Sequence, residues 1–525
     1  MKIVSVSEMI ALEKAADRAG LSYQSMMQNA GQGIAAWVYE YLPVENGVVA
    51  LVGAGNNGGD TLIALTALAL RGVRTIAFLA KERPNDPLIS EYLSTSGSIV
   101  DISGNERLEL LGMALRPGVI LLDGLLGTGF RLPLRGALRD IMAGIHKLVK
   151  NRPGTFIVAV DCPSGVDCDT GEVSDVTFAA NYTLCMAAVK QGLLRHPGRS
   201  FVGEVHLIDI GLDQVVGLPD VRPMEMVSKD MVKQNLPARP DVGHKGTFGT
   251  CIVVAGTRSF TGAVYLTGKA AYRAGCGLVD IATLPEVQRS LAGALIEAVW
   301  TLLPDKDDAY DRGGSEVLVK KIAGADSLVL GPGLGLAKET TIFVDQLLSV
   351  LPEVLPTLID ADGLKHLSRI KQWWKRLPSQ TILTPHPGEM SILTGLSLDI
   401  IQANRWEIAQ EFAQKWQVTL ILKGAASVIA APSGKIWVSP VSDAALATAG
   451  SGDVLSGVIG GLMAQGVSLP EAGVAGTWLH TGAGVKARKK LGTDISVTAM
   501  DILNGISSVF DSLTGTESFN QTSWD

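Results

Sequence analysis

The chain has 525 residues, 47% hydrophobic and 18% charged, which suits two or more packed domains and argues against long disorder. A formal net charge of −7 argues against a nucleic-acid binder that works by bulk positive charge, so an anionic ligand needs local donors. No run of about 18 apolar residues predicts a membrane span, Glu8, Glu13 and Lys14 come too early for a signal peptide, and scattered cysteines without a C-x-x-C pair read as reduced, cytosolic thiols.

Ser5 and Glu8 form a candidate capping box opening a helix that runs to about residue 20, and a second helix is predicted over 22–41. Residues 47–52 read as a buried parallel strand. The run Gly53-Ala54-Gly55-Asn56-Asn57-Gly58-Gly59-Asp60 follows, then a helix predicted over 61–71. Strand, glycine loop and helix is the layout of a nucleotide-binding turn in an open α/β sheet, here without strict G-x-G-x-x-G spacing or a P-loop lysine. Further strands are predicted at 75–80, 119–123, 156–161, 182–186 and 205–210. Ligands bind beyond the carboxyl ends of such strands. The loops carrying Asn56, Asn57 and Asp60, then Asp123, then Asp161, should therefore meet at one cleft, although each aspartate alone would more often cap a turn. Asn57, Asp123 and Ser164 offer oxygen ligands from three loops, and a single carboxylate suits potassium better than calcium.

Residues 211–241, with Pro219, Pro223, Pro237 and Pro240, read as a linker plus a helix at 228–236. A second strand–helix alternation starts near residue 225, and His244-Lys245-Gly246 precedes its strand at 251–255. After a helix at 261–274, later strands lead into Gly331-Pro332-Gly333-Leu334-Gly335, into Asp360-Ala361-Asp362, into Pro385-His386-Pro387-Gly388-Glu389 and into Lys423-Gly424-Ala425. His386, between two prolines in a stiff loop, reads as a ligand contact. Lys423, ending a strand before a glycine, reads as an anion contact rather than an edge-strand charge. Trp373-Trp374 reads as surface or interface packing. Last comes Gly450-Ser451-Gly452-Asp453, ahead of an apolar helix starting near Gly452. Free amides and the dipole at a helix N-terminus attract anions. Asp453, in that first turn, could accept a proton from a hydroxyl that attacks a phosphate, the simpler reading being an ordinary cap on a core helix.

Together, over about residues 5–510, the motifs resemble the bifunctional NAD(P)H-hydrate repair family, in which an NAD(P)HX epimerase is fused to an ADP- or ATP-dependent NAD(P)HX dehydratase. The resemblance implies a Rossmann-like three-layer α/β domain over 1–215, a ribokinase-like α/β domain over 225–512 and a polar tail over 513–525. It implies that Asn56, Asn57, Gly58, Gly59, Asp60, Gly127, Thr128, Gly129, Phe130, Arg131, Leu132, Pro133 and Asp161 contact NADHX or NADPHX; Asp161 is the candidate acid/base, since the cleft offers few other titratable groups. Asn57, Asp123 and Ser164 would hold potassium. In the second half Ala263, Gly333, His386 and Asp453 would contact the hydrate, with Asp453 catalytic. Lys423, Gly424, Ala425, Ala426, Ser427 and Gly452 would contact ADP or ATP, accompanied by magnesium for which no carboxylate cluster stands out. A cytoplasmic homo-oligomer without nucleic-acid or membrane partners is implied. Thr61 departs from the glycine the family often has there, and could crowd the substrate phosphates. The rival reading is a ribokinase-like small-molecule kinase whose N-terminal half is a non-catalytic binding module.

Overall fold

The structure, a computed structural model, describes residues 1–103 and 107–514. The chain divides into two compact units, Met1–Arg222 and Pro223–Asp525.

The first unit is built on seven parallel strands. Their spatial order is Ser98–Asp101, Thr75–Leu79, Val48–Val52, Ile120–Gly124, Phe156–Val160, Tyr182–Met186 and Glu204–Ile208. The apolar runs suit strands buried on both faces. Side chains alternate across each strand. Val48, Ala50 and Val52 pack into one core with Ile34, Leu62 and Leu65 from the helices Tyr23–Tyr41 and Asn56–Leu70. Val49 and Leu51 join the other core with Leu111, Ile141, Met142 and Ile145 from Leu108–Ala114 and Gly136–Lys150. Fully burying each leucine or isoleucine contributes about 1.5–3 kcal/mol. The result is the expected three-layer α/β sandwich. Strand order reverses between Val48–Val52 and Ile120–Gly124, and this switch point is where an open sheet leaves a crevice.

The Ser5–Glu8 capping box is present and starts the helix Val6–Arg18. The next glycine turn differs from expectation. Its helix begins at Asn56, not at Thr61, because extended Gly55 caps it directly. Asn56, Asn57 and Gly58 therefore form the first turn, whose amides have no preceding carbonyl to bond. Thr61 lies one turn further on, fully buried, and its hydroxyl donates to the Asn57 carbonyl at 2.7 Å. It faces the protein interior and does not crowd a ligand. Gly58 is required by close approach, since a Cβ there would stand 2.1 Å from the Gly53 carbonyl oxygen.

The second unit holds a ten-stranded sheet. Its centre is parallel, running from Thr419–Leu422 through Thr381–Leu383, Thr357–Ile359, Ser327–Leu330 and Thr250–Val254 to Leu278–Thr283 and Val299–Leu302. Val428–Ala430 and Ile436–Val438 extend it antiparallel. Met224–Met226, inside the stretch read as linker, is the edge strand beside Ile436–Val438. A three-residue strand flanked by proline is too short to show as a periodic pattern. Trp373 is not on the surface: it is buried, its ring centre 4.7 Å from that of Trp416, with Trp374 edge-on at 5.8 Å. The apolar helix Ser451–Ala464 starts one residue before the expected Gly452. The last helix, Ala499–Thr514, takes in the first two residues of the expected tail, and the remainder of that tail lies outside the described residues. Among the described residues no helix is long and apolar enough to cross a membrane.

Gly58→Ala should destabilise the first unit by about 1–3 kcal/mol through overpacking. Gly55→Ala, with nothing within 4 Å of the added carbon, should stay within about 0.5 kcal/mol. Thermal melting of both variants checks the contrast.

Candidate active sites

Each unit gathers its predicted residues beyond the carboxyl ends of central strands. In the first, Asn56, Asn57, Asp60, Gly127, Thr128, Gly129, Phe130 and Asp161 line one cleft of about 950 Å³. Gly58 and Gly59 lie in the buried first turn beside it. Arg131, Leu132 and Pro133 continue the loop beyond the residues that line the cleft.

Beneath the cleft floor, Asn57, Asp123 and Ser164 converge on one stretch of backbone. The Ser164 hydroxyl donates to Asp123 Oδ1 at 2.6 Å and accepts from the Leu126 amide at 2.9 Å. The Ser164 amide donates to Asp123 Oδ2 at 2.8 Å, and Asn57 Nδ2 donates to the Leu126 carbonyl at 2.9 Å. Asp123 therefore ties two distant loops together rather than merely capping its own turn. Burial raises its carboxyl above the usual range, against the pull of its Ser164 bonds. Asn57 Oδ1 is buried with no hydrogen-bond partner. A buried, unsatisfied carbonyl beside a carboxylate and a hydroxyl suits an oxygen-seeking cation.

Asp161 sits at φ +63°, a strained conformation for a residue with a side chain. Its Oδ1 accepts the Met186 amide at 3.0 Å and forms an ion pair with Lys190. Lys190 is 1% exposed and also donates to the Met186 carbonyl at 3.1 Å. Burial pulls the Lys190 amine down, but Asp161 outweighs it and the net shift is upward. Sequence reasoning missed Lys190, although a lone lysine closing the apolar run 182–189 was the available signal. It missed Glu13 too, which reaches the cleft from the first helix.

In the second unit, left-handed Gly450 (φ +84°) turns the chain into the helix Ser451–Ala464, and Asp453 falls in its first turn. Thr267, on the helix Thr261–Arg273, donates to the Asp453 carbonyl at 3.2 Å. The same helix carries Ala263 against Gly333, where an added Cβ would lie 3.1 Å from the Ala263 Cβ. Lys423 Nζ pairs with Asp360 Oδ1 at 2.6 Å and lies 3.8 Å from Glu389 Oε2. It would stand 3.4 Å from a Cβ on Gly452, so the lysine reaches the helix start. Ser456 donates to Asp360 Oδ2 at 2.6 Å. Burial opposes both charges of the pair, yet each holds the other ionised: Asp360 lies below its usual range and Lys423 above. Asp453 is pushed up to about 7, first by burial and then by the charge of Asp360.

His386 caps the helix Pro387–Thr394 through Nδ1, which accepts from the Gly388 and Glu389 amides at 3.0 and 3.3 Å. Burial lowers its pKa, so it is neutral with its proton on Nε2. Its side chain stays half exposed, with Nε2 3.4 Å from Glu389 Oε1. Gly424 and Ala425 are exposed on a turn that Arg405 braces by donating to the Leu422 and Lys423 carbonyls. Ala426 is buried, and Ser427 donates back to the Gly424 carbonyl at 3.1 Å.

The family of NAD(P)H-hydrate dehydratases matches residues 251–507, and that of the YjeF-related protein N-terminus matches residues 23–192. The bifunctional NAD(P)H-hydrate repair enzyme Nnr of Moorella thermoacetica is 34% identical over 504 residues, 94% of this chain and 93% of that one. The enzyme of the same name from Coxiella burnetii is 31% identical over 92% of this chain and 94% of its own. Among solved structures, the Bacillus subtilis ADP/ATP-dependent NAD(P)H-hydrate dehydratase co-crystallised with ATP/Mg2+ is 29% identical, with a TM-score of 0.47 over 55% of this chain and 98% of that chain.

Asp360→Asn leaves Lys423 without its counter-ion and should destabilise the second unit by about 3–5 kcal/mol. Ser456→Ala, which removes one hydrogen bond, should destabilise it by about 1 kcal/mol. Denaturant unfolding followed on that unit compares the two.

Proposed function

The chain belongs to the bifunctional NAD(P)H-hydrate repair enzymes, and from that premise we propose how its two units share the work. The first epimerises the R and S forms of hydrated NADH and NADPH. The second dehydrates the S form to NADH or NADPH at the expense of ADP or ATP. The observation that carries the assignment of the chemistry is Asp453: a carboxyl in the first turn of a helix, beside a fixed lysine, with its pKa moved up to about 7.

Hydroxide is a poor leaving group from the C6 carbon of the hydrate, whereas phosphate is a good one. Asp453 accepts the C6 hydroxyl proton as that oxygen attacks the terminal phosphoryl group. The amides at the start of Ser451–Ala464, with Lys423 above them, stabilise the charge on the phosphoryl oxygens. Phosphate then departs with the former C6 oxygen, driven by the ring nitrogen lone pair. Loss of the C5 proton restores the double bond. Ala263 and Gly333 bound the hydrate, His386 offers its Nε2 proton, and the turn Lys423–Ser427 carries the nucleotide with Gly452. Magnesium would arrive on the nucleotide phosphates, since among the described residues no cluster of His, Cys, Asp and Glu could hold a metal ion.

In the first unit Asn56 to Asp60, the loop Gly127 to Pro133 and Asp161 contact the hydrate, and Asp161 moves the proton. Potassium fits the oxygens of Asn57, Asp123 and Ser164, where the unsatisfied Asn57 Oδ1 supports it. When bound it supplies positive charge beside an anionic substrate. The units assemble in a cytoplasmic homo-oligomer with no nucleic-acid or membrane partner.

The test is recovery of near-ultraviolet NADH absorbance from mixed epimers with ADP or ATP, magnesium and potassium. The reading predicts full recovery, in a fast S phase and a slower R phase. Asp453→Asn should remove both, by at least about 100-fold, while Asp161→Asn should leave only the fast phase. No recovery with either nucleotide would turn the assignment to a small-molecule kinase.

Asp453 must be ionised to accept a proton, so dehydratase kcat/KM on the S epimer should rise with pH and level off above about 7. A pH–rate profile checks this, and a flat profile between pH 5 and 9 contradicts the role.

A further inference from the structure

The epimerase cleft holds a second carboxyl in surroundings opposite to those of Asp161. Asp161 has a buried lysine and a backbone amide on its oxygens. Asp60, on the helix Asn56–Leu70, is 9% exposed and opens onto the same cleft. Among the described residues its carboxyl takes part in no hydrogen bond. The charged groups acting on it are Asp161 after Phe156–Val160, Glu13 from Val6–Arg18 and, in the opposite sense, Lys190 on Val189–Lys190, while Lys81 also lines the cleft. Arg83, on the adjoining lobe of the cleft, is committed to Asp86 at 2.6 Å and to the Gly53 carbonyl. Asp60 thus has two like charges for neighbours and no donor of its own.

We propose that Asp60 is the general acid that works opposite Asp161 in epimerisation, with Lys190 deciding that Asp161 is the member carrying the charge. The inference rests on the epimerase reading above. Burial, then Asp161 and Glu13, hold the Asp60 carboxyl well above the usual range. A carboxyl whose surroundings favour its protonated form, opposite one held in an ion pair with a lysine, makes an acid/base pair. The substrate needs both partners, because C6 bears a hydroxyl and is bonded to the ring nitrogen. Asp161 takes the hydroxyl proton, the C6–O bond becomes a carbonyl, and the C6–N bond breaks with its electron pair passing to nitrogen. Nitrogen receives the Asp60 proton. The freed aldehyde turns about its bond to C5. Closure then runs in reverse on the other face: nitrogen attacks C6 and returns its proton to Asp60, and the oxygen takes the proton from Asp161. No oxidant, reductant or net water is consumed.

The full chain tests this in two assays. Without nucleotide, separation of R and S hydrated NADH reports epimerisation alone. With ADP, magnesium and the pure S epimer, NADH formation reports the dehydratase and serves as the control. Wild-type epimerisation should fall at high pH as Asp60 loses its proton. Asp60→Asn should lower epimerase kcat at least about 100-fold, abolish the high-pH fall in residual activity, and leave S turnover within about two-fold. A variant that raises KM with kcat intact marks a contact without proton transfer and overturns the proposal, as does an unchanged rate. If Asp60→Asn abolishes folding of the first unit, the wild-type profile gives the second reading: an epimerase kcat that shows no fall at high pH overturns the proposal. A wild type that leaves the R epimer unconverted would overturn the epimerase reading itself, a result distinct from these.

Discussion

Both units depend on a lysine removed from water and tied to an aspartate that ends a sheet strand. Lys190 pairs with Asp161 in one, and Lys423 with Asp360 in the other. A buried amine without a counter-ion would lose its proton, and a buried carboxylate alone would gain one. Each pair keeps both charges in place in a low-dielectric site. It does so beside the first turn of a helix whose amides have no internal partners. The opening strand, the glycine that allows close approach and the apolar helix behind it all serve to hold that arrangement.

The same interaction explains why one carboxyl near each pair is held above its usual range. Asp453 stands near Asp360, and Asp60 near Asp161, and in both cases the nearest lysine is already matched. A carboxyl raised above its usual range holds a proton more readily than an ordinary carboxylate, which is what a general base or acid needs. The glycines around these sites contribute through space rather than chemistry: Gly58 lets helix and strand end touch, and Gly450 turns the chain into its helix.

Much of this was legible in the sequence. Glycine loops after apolar strands gave the α/β class, and Asn57, Asp123 and Ser164 gave a convergent oxygen set because each closes or follows a strand. What was not legible needs contacts far apart in the chain. Lys190 lies 29 residues from Asp161, and Ser456 lies 96 from Asp360, so no local pattern links them. Asp360 could have been found, since it ends a strand before a glycine turn as Asp123 does. The start of the Asn56 helix was misjudged because asparagine and glycine disfavour helix interiors, while the free amides of a first turn tolerate them. Met224–Met226 and Trp373 were misread because a short edge strand and an aromatic pair carry too little periodicity to reveal burial.

The central claim is that the oxygen leaving C6 does so on phosphorus, with Asp453 taking its proton. The direct measurement is to label the C6 hydroxyl of the S hydrate with oxygen-18, run the reaction with ADP or ATP, and weigh the products by mass spectrometry. The account predicts one labelled oxygen in each inorganic phosphate formed. Label appearing in water, with unlabelled phosphate, would contradict it.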